Sequence, residues 1–361
     1  MSGHADCVTS PVPPAAGRRA TQGGLSNARF LLVSFTSAVA LFAALTLARS
    51  DYVFFACYVI GQFVVLATAW NILGGYCGYV NFGSAAFFAM GAYSTVAISM
   101  VLTEYAQTLA GRVLGAIPTA VLLPLLIVFA GVMAGLVGLG MGYLTLRLKG
   151  VFFSIATLAL SVVLQTLIVN WDFVGGSRGA YVIRPNEFPL PGGFVGYLFA
   201  LMLLLVVFAL TGARAIERSR LGFGFAAIRD DEGAAEAAGV PTLRLKLIAT
   251  TLSGALMGMA GAPFPYYIGF LEPASAFGLS YAVNAIAMPM VGGTQSWAGP
   301  LVGALLLGTF QQVATVTISS VLNLLIVGLL LIFFVVAAPD GIIGLLRGIS
   351  RRRIAKKGVA S

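Results

Sequence analysis

The sequence predicts an all-α polytopic membrane protein with about ten transmembrane helices, and three observations carry that prediction. Hydrophobic residues make up 59% of the 361 residues and charged residues only 9%, whereas about a quarter of the residues of a soluble domain are charged. The apolar residues fall into runs of about 20, which is the length of a helix that crosses a bilayer. The 44 glycines suit membrane helices, because small residues let helix backbones approach closely.

The chain begins with a polar arm. Residues 1–29 are rich in Pro, Ala and Gly and lack the apolar centre of a secretory signal peptide. This composition predicts a disordered arm, which the charge distribution places in the cytoplasm. A transmembrane domain follows over residues 30–338, and residues 339–361 form a basic tail that is also predicted to be cytoplasmic.

Ten spans divide the transmembrane domain. They are predicted at 30–48, 52–73, 80–102, 115–146, 151–170, 194–212, 247–270, 277–295, 299–318 and 321–338. The fourth is long enough to be two helices, although a single crossing suits the charge distribution better. The eighth is short and contains Pro289, so it is either a crossing or a re-entrant segment. Stripes of small residues predict close packing of the fourth and seventh spans; they are Gly131, Gly135, Gly138 and Gly142, and Gly254, Gly258 and Gly261.

The basic residues fix an orientation for these spans. If the N-terminus is cytoplasmic and all ten spans cross, 17 of the 21 basic residues lie inside, and only Arg49, Arg112, Arg178 and Arg184 lie outside. This asymmetry is what the positive-inside rule predicts. The net charge of +9 is therefore explained by topology and by attraction to anionic lipid, and no nucleic acid partner is expected.

The spans contain no Asp, Glu, Lys, Arg or His, and the single histidine is His4 in the arm. Ion-coupled carriers keep ionisable groups at membrane depth, so coupling to protons or sodium is disfavoured. The sequence also lacks a G-x-x-x-x-G-K-[ST] loop, a metal-ligand cluster and a Ser/His/Asp set. We expect no enzymatic activity, no metal and no bound cofactor in this chain. Energy for uphill transport would then come from another subunit.

One loop gathers much of the charge. Residues 213–246, the charged loop, contain 11 of the 33 charged residues, which places the loop in water. Asp230 is predicted as an N-cap, and Gly239 and Pro241 as the stop, of a short helix over residues 231–238. So short a helix is marginal alone in water. The residues by themselves fit a helix that docks into another protein and a solvated connector equally well.

Three stretches resemble one family. "NILGGYCGYVNFGSAAFFAMGAY" (71–93), "GFGFAAIRDDEGAAEAAGVPTLRLKLIATTLSGALMGMAGA" (222–262) and "VGGTQSWAGPLVGALLLG" (291–308) are similar to branched-chain amino acid ABC transporter permeases of the Liv type. They occur in the order and spacing of that family. The chain length and the polar segment at 171–192 resemble the M subunit more than the shorter H-type subunit.

The resemblance implies an ABC importer permease fold in a bacterial inner membrane. It implies that the short helix of the charged loop fits a cleft of a cytoplasmic ATPase, and it implies two ATPase subunits, a related H-type permease and a periplasmic substrate-binding protein as partners. The positions that match the family's coupling segment are Arg229, Asp230, Asp231, Glu232, Ala235, Glu236, Ala237 and Gly239. Gly239 follows Glu236 more closely than in the general importer pattern, which leaves open which acid faces the ATPase.

Polar side chains within the spans are candidates for the translocation path. They are Gln62, Asn71, Asn81, Ser84 and Asn284. Each either lines a wet cavity or makes an interhelical hydrogen bond. A path that is apolar with amide and hydroxyl groups suits an aliphatic amino acid. The alternatives are the same architecture importing urea, short amides or aromatic-acid derivatives, and a stand-alone channel or secondary carrier.

Overall fold

The computed structural model describes residues 26–47, 51–105, 119–145, 150–182 and 190–317, together with residues 148 and 184 and a few between 328 and 345. Most of the predicted arm, the tenth span and the basic tail lie outside the described residues. Within them the chain is almost entirely helical, as the sequence predicts.

The first half contains five long helices. They are α1 (Asn27–Leu47), α2 (Asp51–Asn71), α3 (Ser84–Tyr105), α4 (Thr119–Thr145) and α5 (Val151–Val169). A π-helical turn, Ile72–Tyr76, continues α2. The fourth predicted span is thus one helix. Two 3-10 turns, Asp172–Val174 and Gly176–Arg178, lead to strand β1 (Ala180–Tyr181).

The second half is more broken. It contains α6 (Gly193–Arg218), α7 (Arg220–Asp230), α8 (Glu232–Ala237), α9 (Thr242–Gly261), α10 (Phe264–Ile268), strand β2 (Phe270–Leu271), α11 (Pro273–Ala276), α12 (Leu279–Gly292) and α13 (Ala298–Thr317). Pro289 lies inside α12 and does not end it. Strands β1 and β2 pair antiparallel.

Eight helical segments among the described residues are long and apolar enough to cross a membrane. They correspond to the first eight predicted spans, and their exposed faces are rich in large apolar side chains such as Phe152, Val163 and Leu167. The ninth predicted span is α13, which is not one of the eight. Such broad apolar surfaces are typical of a chain that faces lipid.

Glycine sets the spacing of the central helices, as the two stripes predict. Helix α9 packs against α3 and α4, and a Cβ atom at Gly91 of α3 would lie 2.1 Å from the carbonyl oxygen of Gly258 in α9. A Cβ atom at Gly258 would lie 2.2 Å from the Cβ atom of Ala134 in α4. Gly261 is similarly tight against the carbonyl oxygen of Phe88. The three helices therefore touch backbone to backbone.

The described turns between helices form two groups, at opposite ends of the bundle. In the first group, Tyr79 of the 77–83 turn contacts Glu232 of the 219–241 segment, and Trp297 of the 293–297 turn contacts Glu217 at the end of α6. We term residues 77–83, 219–241 and 293–297 the charged face. The strands β1 and β2 and the contact of Arg184 with the carbonyl of Tyr267 lie at the other end. Alternating spans require this arrangement, because successive turns must lie on alternate sides of the membrane.

Candidate functional site

The short helix predicted in the charged loop is α8, and its capping differs from the prediction by one residue. Asp231 is the N-cap: its backbone is extended and its carboxylate accepts a hydrogen bond of 3.0 Å from the backbone nitrogen of Ala234. The prediction that Asp230 caps the helix is wrong. Residue 230 still belongs to α7, because Phe225 and Ile228 are buried beneath that helix and keep it helical up to this point.

The predicted end of the short helix is confirmed. Gly239 has a φ of +84°, the left-handed conformation that glycine adopts at a helix C-terminus. Pro241 then precedes α9. The helix itself has six residues where about eight were predicted, because Asp231 and Ala238 at the predicted ends are its N-cap and C-cap residues.

The residues of this segment divide into an outward and an inward set. Outward-facing and exposed residues are Asp230, Asp231, Gly233, Ala234, Glu236, Ala237, Ala238 and Gly239. Arg229 is also exposed overall, with its aliphatic part against Gly78. The inward set contains Ala235, which is buried, and Glu232, whose side chain is only 14% exposed. The exposed surface of α8 is therefore small-sided, with acids at both ends.

Glu232 lies in a buried polar cluster. Lys246 of α9, whose side chain is 3% exposed, donates from its Nζ to the Oε1 of Glu232 at 2.7 Å. The hydroxyl of Tyr79, in the turn between α2 and α3, donates to the Oε2 of Glu232 and accepts from Lys246 at 3.3 Å. The Nζ of Lys246 also lies 4.8 Å from the centre of the Tyr79 ring. Acid, base and phenol thus join three separate segments of the chain.

The electrostatics of this cluster follow from burial. Burial, and then the hydrogen bond to the Glu232 carboxylate, hold the pKa of Tyr79 well above its usual range, so the phenol remains a donor at neutral pH. Burial also raises the pKa of the neighbouring Cys77 to about 12. The phenol of Tyr79 and the thiol of Cys77 therefore stay protonated beside the Glu232–Lys246 pair.

Further contacts attach the charged loop to the bundle. The Arg229 guanidinium is 3.2 Å from the Asp230 carboxylate and 3.5 Å from the carbonyl oxygen of Gly75 in the π-helical turn. The Oγ1 of Thr242 donates to the Glu236 carboxylate at 2.7 Å. The Arg229–Asp230 pair lies within α7, whereas the contacts of Arg229 with Gly75 and of Glu236 with Thr242 tie the segment to the end of α2 and to α9.

A second cluster lies at the end of α6. The Glu217 carboxylate accepts a 2.9 Å hydrogen bond from the backbone nitrogen of Trp297. The Arg214 guanidinium lies 4.1 Å from the centre of the Phe30 ring and 5.6 Å from that of Trp297. The 293–297 turn and the start of α1 are therefore held to α6 by a cation between two aromatic rings.

Two of the five polar side chains predicted for the path are hydrogen-bonded between helices. Gln62 donates to the carbonyl oxygen of Ala260 at 3.3 Å. Asn284 accepts from Gln311 at 2.8 Å. Both contacts hold helices together, and the assignment of these two amides to the path stays a prediction.

The other three predicted path residues have polar atoms that are buried without a hydrogen-bond partner among the described residues. The amide of Asn71 lies beside the π-helical turn, where its oxygen faces Gly75. Asn81 accepts from the backbone nitrogen of Gly83 at 2.7 Å, but its amide nitrogen is unpartnered. The hydroxyl of Ser84, at the start of α3, is also unpartnered. Buried polar atoms of this kind call for water or a solute.

Sequence reasoning missed the inner half of the coupling segment. Tyr79 and Lys246 were not singled out, although they hold Glu232, and Thr242 was missed as the partner of Glu236. One signal was available for Lys246: it stands one residue before an uncharged span. A cation at that place is commonly paired. Among the described residues no group of acids, cysteines and histidines could hold a metal ion.

Comparison with known proteins gives consistent matches. Residues 52–335 match the family described as branched-chain amino acid transport system / permease component. The high-affinity branched-chain amino acid transport system permease protein LivM of Escherichia coli is 26% identical over 310 residues, covering 79% of this chain and 68% of the relative. A probable branched-chain amino acid transport permease protein LivH of Methanocaldococcus jannaschii is 26% identical over 270 residues, covering 71% and 82%.

Permeases with other named cargoes are also similar. The L-arabinose ABC transporter permease protein AraH of Azospirillum brasilense is 27% identical over 317 residues, covering 84% of this chain and 86% of the relative. The autoinducer 2 import system permease protein LsrC of an Enterobacter species is 28% identical over 201 residues, covering 54% and 56%. No solved structure matches the chain.

Proposed function

Because the chain belongs to the family of branched-chain amino acid transport system permease components, we propose that it is the membrane-spanning subunit of an ATP-driven importer of aliphatic amino acids. Its all-α, multi-span architecture is that of a transport permease. Its relatives are transport permeases rather than enzymes. In this proposal the chain binds no cofactor, and ATP is bound and hydrolysed by separate subunits.

The exposed surface of α8 is the observation that carries the proposal. Gly233, Ala234 and Ala237 leave it nearly free of side chains, so another protein can approach its backbone closely. Asp230 and Glu236 are exposed beside it, whereas Glu232 is held inside by Lys246. Asp231 is also exposed, but its carboxylate caps α8. Of the four acids, Asp230 and Glu236 are therefore the ones that we assign to contact with an ATPase.

The remaining partners follow from the family. The charged face lies in the cytoplasm, where two ATPase subunits bind, and the end with β1 and β2 faces a periplasmic binding protein. A related H-type permease completes the membrane dimer in the bacterial inner membrane. The exposed apolar faces of α1, α4 and α5 are available to lipid and to that second permease.

Three buried side chains are assigned to the path. Asn71, Asn81 and Ser84 have polar atoms without partners in the described residues, and they lie at or near the charged face, where α2 ends and α3 begins. Amide and hydroxyl groups can exchange hydrogen bonds with the ammonium and carboxylate of a passing amino acid without binding it as tightly as a charged site would. The aliphatic side chain of the cargo suits the apolar surroundings.

The test introduces a large charged side chain on the exposed surface of α8. The chain is co-expressed with its second permease and the ATPases, and association is measured by co-purification. Ala237→Arg is expected to lower ATPase recovery and amino acid uptake at least tenfold. The matched control is Ala274→Arg, at an exposed alanine between β2 and α12 at the opposite end of the bundle, which is expected to retain ATPase recovery.

Three results would contradict the proposal. One is retention of ATPase association and uptake by Ala237→Arg. The second is uptake by liposomes that contain the chain without any ATPase, which would indicate a stand-alone channel or carrier. The third concerns the cargo alone: a cognate binding protein that selects urea, a short amide or an aromatic acid over leucine would keep the architecture and change the substrate.

A further inference from the structure

We infer that Tyr79, Glu232 and Lys246 are positioning residues that transmit movement of α8 to the membrane helices. The inference rests on the proposed function, since it concerns how a push from an ATPase on α8 would reach the path. It assigns a role to the one acid of the coupling segment that faces inward.

The first argument is connectivity. Glu232 is the first residue of α8, Lys246 lies in the second turn of α9, and Tyr79 belongs to the turn that leads into α3. The Lys246 ammonium and the Glu232 carboxylate are 2.7 Å apart, and the Tyr79 hydroxyl contacts both. A displacement at the start of α8 therefore acts directly on α9 and on the approach to α3.

The second argument is that, among the described residues, α8 has few other buried contacts. Only Ala235 of its six residues is buried. Arg229 of the preceding helix α7 contacts Gly75. Within α8, Glu236 near the C-terminal end accepts a hydrogen bond from Thr242 of α9. The two Glu232 contacts are the ones that join a side chain of the helix's first turn to buried partners in two other segments.

The third argument is the close packing between α9 and α3. Helix α9 meets α3 backbone to backbone where Gly258 faces Gly91 and Gly261 faces the carbonyl of Phe88. Close-packed interiors transmit displacement because they have little free volume to absorb it. Movement of α9 consequently carries α3 and with it Ser84, which stands at the start of α3.

A buried ion pair also suits a transmitting role better than a purely stabilising one. Replacing such pairs by apolar residues is often neutral or favourable for stability. Ion pairs and hydrogen bonds differ from apolar contacts because they are directional. An ammonium, a carboxylate and a phenol in contact therefore fix one relative orientation of their segments, whereas apolar side chains can slide past one another. The cluster thus fixes the angle between α8 and α9.

The experiment measures cargo transported per ATP hydrolysed by the complete complex in proteoliposomes. The variants are Glu232→Gln, Lys246→Met and the exchange Glu232→Lys with Lys246→Glu in one chain. Both single variants are expected to co-purify with the ATPases at the wild-type level while the ratio of transport to hydrolysis falls at least fivefold. The exchange variant is expected to recover at least half of the ratio. Arg244→Met, which removes an exposed cation from the same helix as Lys246, is the control and is expected to keep the wild-type ratio.

Each other outcome has one meaning. A wild-type ratio in both single variants that still bind the ATPases overturns this inference and leaves the proposed function intact. A parallel loss of ATPase binding, hydrolysis and transport, without recovery in the exchange variant, shows a merely structural role and also overturns it. A wild-type chain that binds no ATPase overturns the proposed function and this inference together.

Discussion

Substitution of Gly91 by alanine tests the backbone contact between α3 and α9. The new Cβ atom would lie 2.1 Å from the carbonyl oxygen of Gly258 and 2.6 Å from its Cα atom. Ordinary contact needs about 3.4 Å or more, so the helices would have to separate by roughly 1.3 Å. The obstacle is backbone, which cannot rotate away as a side chain can.

The expected change in stability of Gly91→Ala is the cost of overpacking minus the gain in helix propensity. Overpacking a close-packed interior costs about 1–3 kcal/mol, and an overlap with backbone belongs near the upper end. Alanine regains up to about 1 kcal/mol relative to glycine in a helix. The net loss is about 2 kcal/mol, which corresponds to a fall in the melting temperature of roughly 4 °C.

Two other glycines supply a graded comparison. Gly140 in α4 has no atom within 4 Å of an added Cβ, and at Gly135 the nearest atom is the Ala255 Cβ at 3.3 Å. Gly140→Ala is expected to be neutral or stabilising, and Gly135→Ala to be intermediate. Melting temperatures of the purified variants are measured in one detergent at one scan rate. A melting temperature for Gly91→Ala at or above that of Gly140→Ala would refute the reasoning.

Three further outcomes are expected. Because the pKa of Cys77 is raised to about 12, the thiol stays protonated as pH rises through its usual range. The test uses a variant in which the other two cysteines are replaced by serine. Alkylation of Cys77 at pH 8 should be at least ~1000-fold slower than that of a free thiol, and its rate should rise about tenfold per pH unit. Reaction within minutes at pH 8 would contradict this. Asp231→Ala removes the cap of α8, about 1 kcal/mol, so amide hydrogen exchange over residues 232–238 should quicken about fivefold, whereas Asp230→Ala should not change it. Gly239→Ala should quicken the same amide exchange by a similar factor, because alanine is strained at a φ of +84°. Gly233→Ala, within the helix, should slow the exchange. The reverse order would show that the C-terminal end of α8 does not limit the stability of this helix.

The spans could be predicted from the sequence because a bilayer imposes a local rule. About 20 apolar residues in a row are sufficient for a crossing, and the first eight predicted spans are found within a few residues of their predicted bounds. The close packing of α4 and α9 was anticipated for a similar reason, since a stripe of small residues is visible in one helix without knowledge of its partner. The contact of Gly91 in α3 with α9 was not anticipated.

The candidate site was less predictable because its contacts are distant in sequence. Glu232 pairs with Tyr79, which is 153 residues away, and a single sequence has no periodicity that reports such a pair. Two adjacent aspartates made the cap ambiguous, and the burial of Phe225 and Ile228 under α7 decided in favour of Asp231. Likewise, only the packing of helices could separate the bonded Gln62 from the unpartnered Asn71.

The packing of α1 has a consequence for the biosynthesis of the protein. Among the described residues this helix packs mainly against α6, and its start is held by Arg214 and Trp297. About 145 residues separate the end of α1 from Gly193, the first residue of α6. At roughly 5–20 residues per second, the ribosome needs about 7–30 s to supply that partner. During this interval α1 has to reside in lipid without its native neighbour. After Arg29 at its start the helix carries no charge, and only 6% of its span window is buried in the finished fold, which suits a period in lipid.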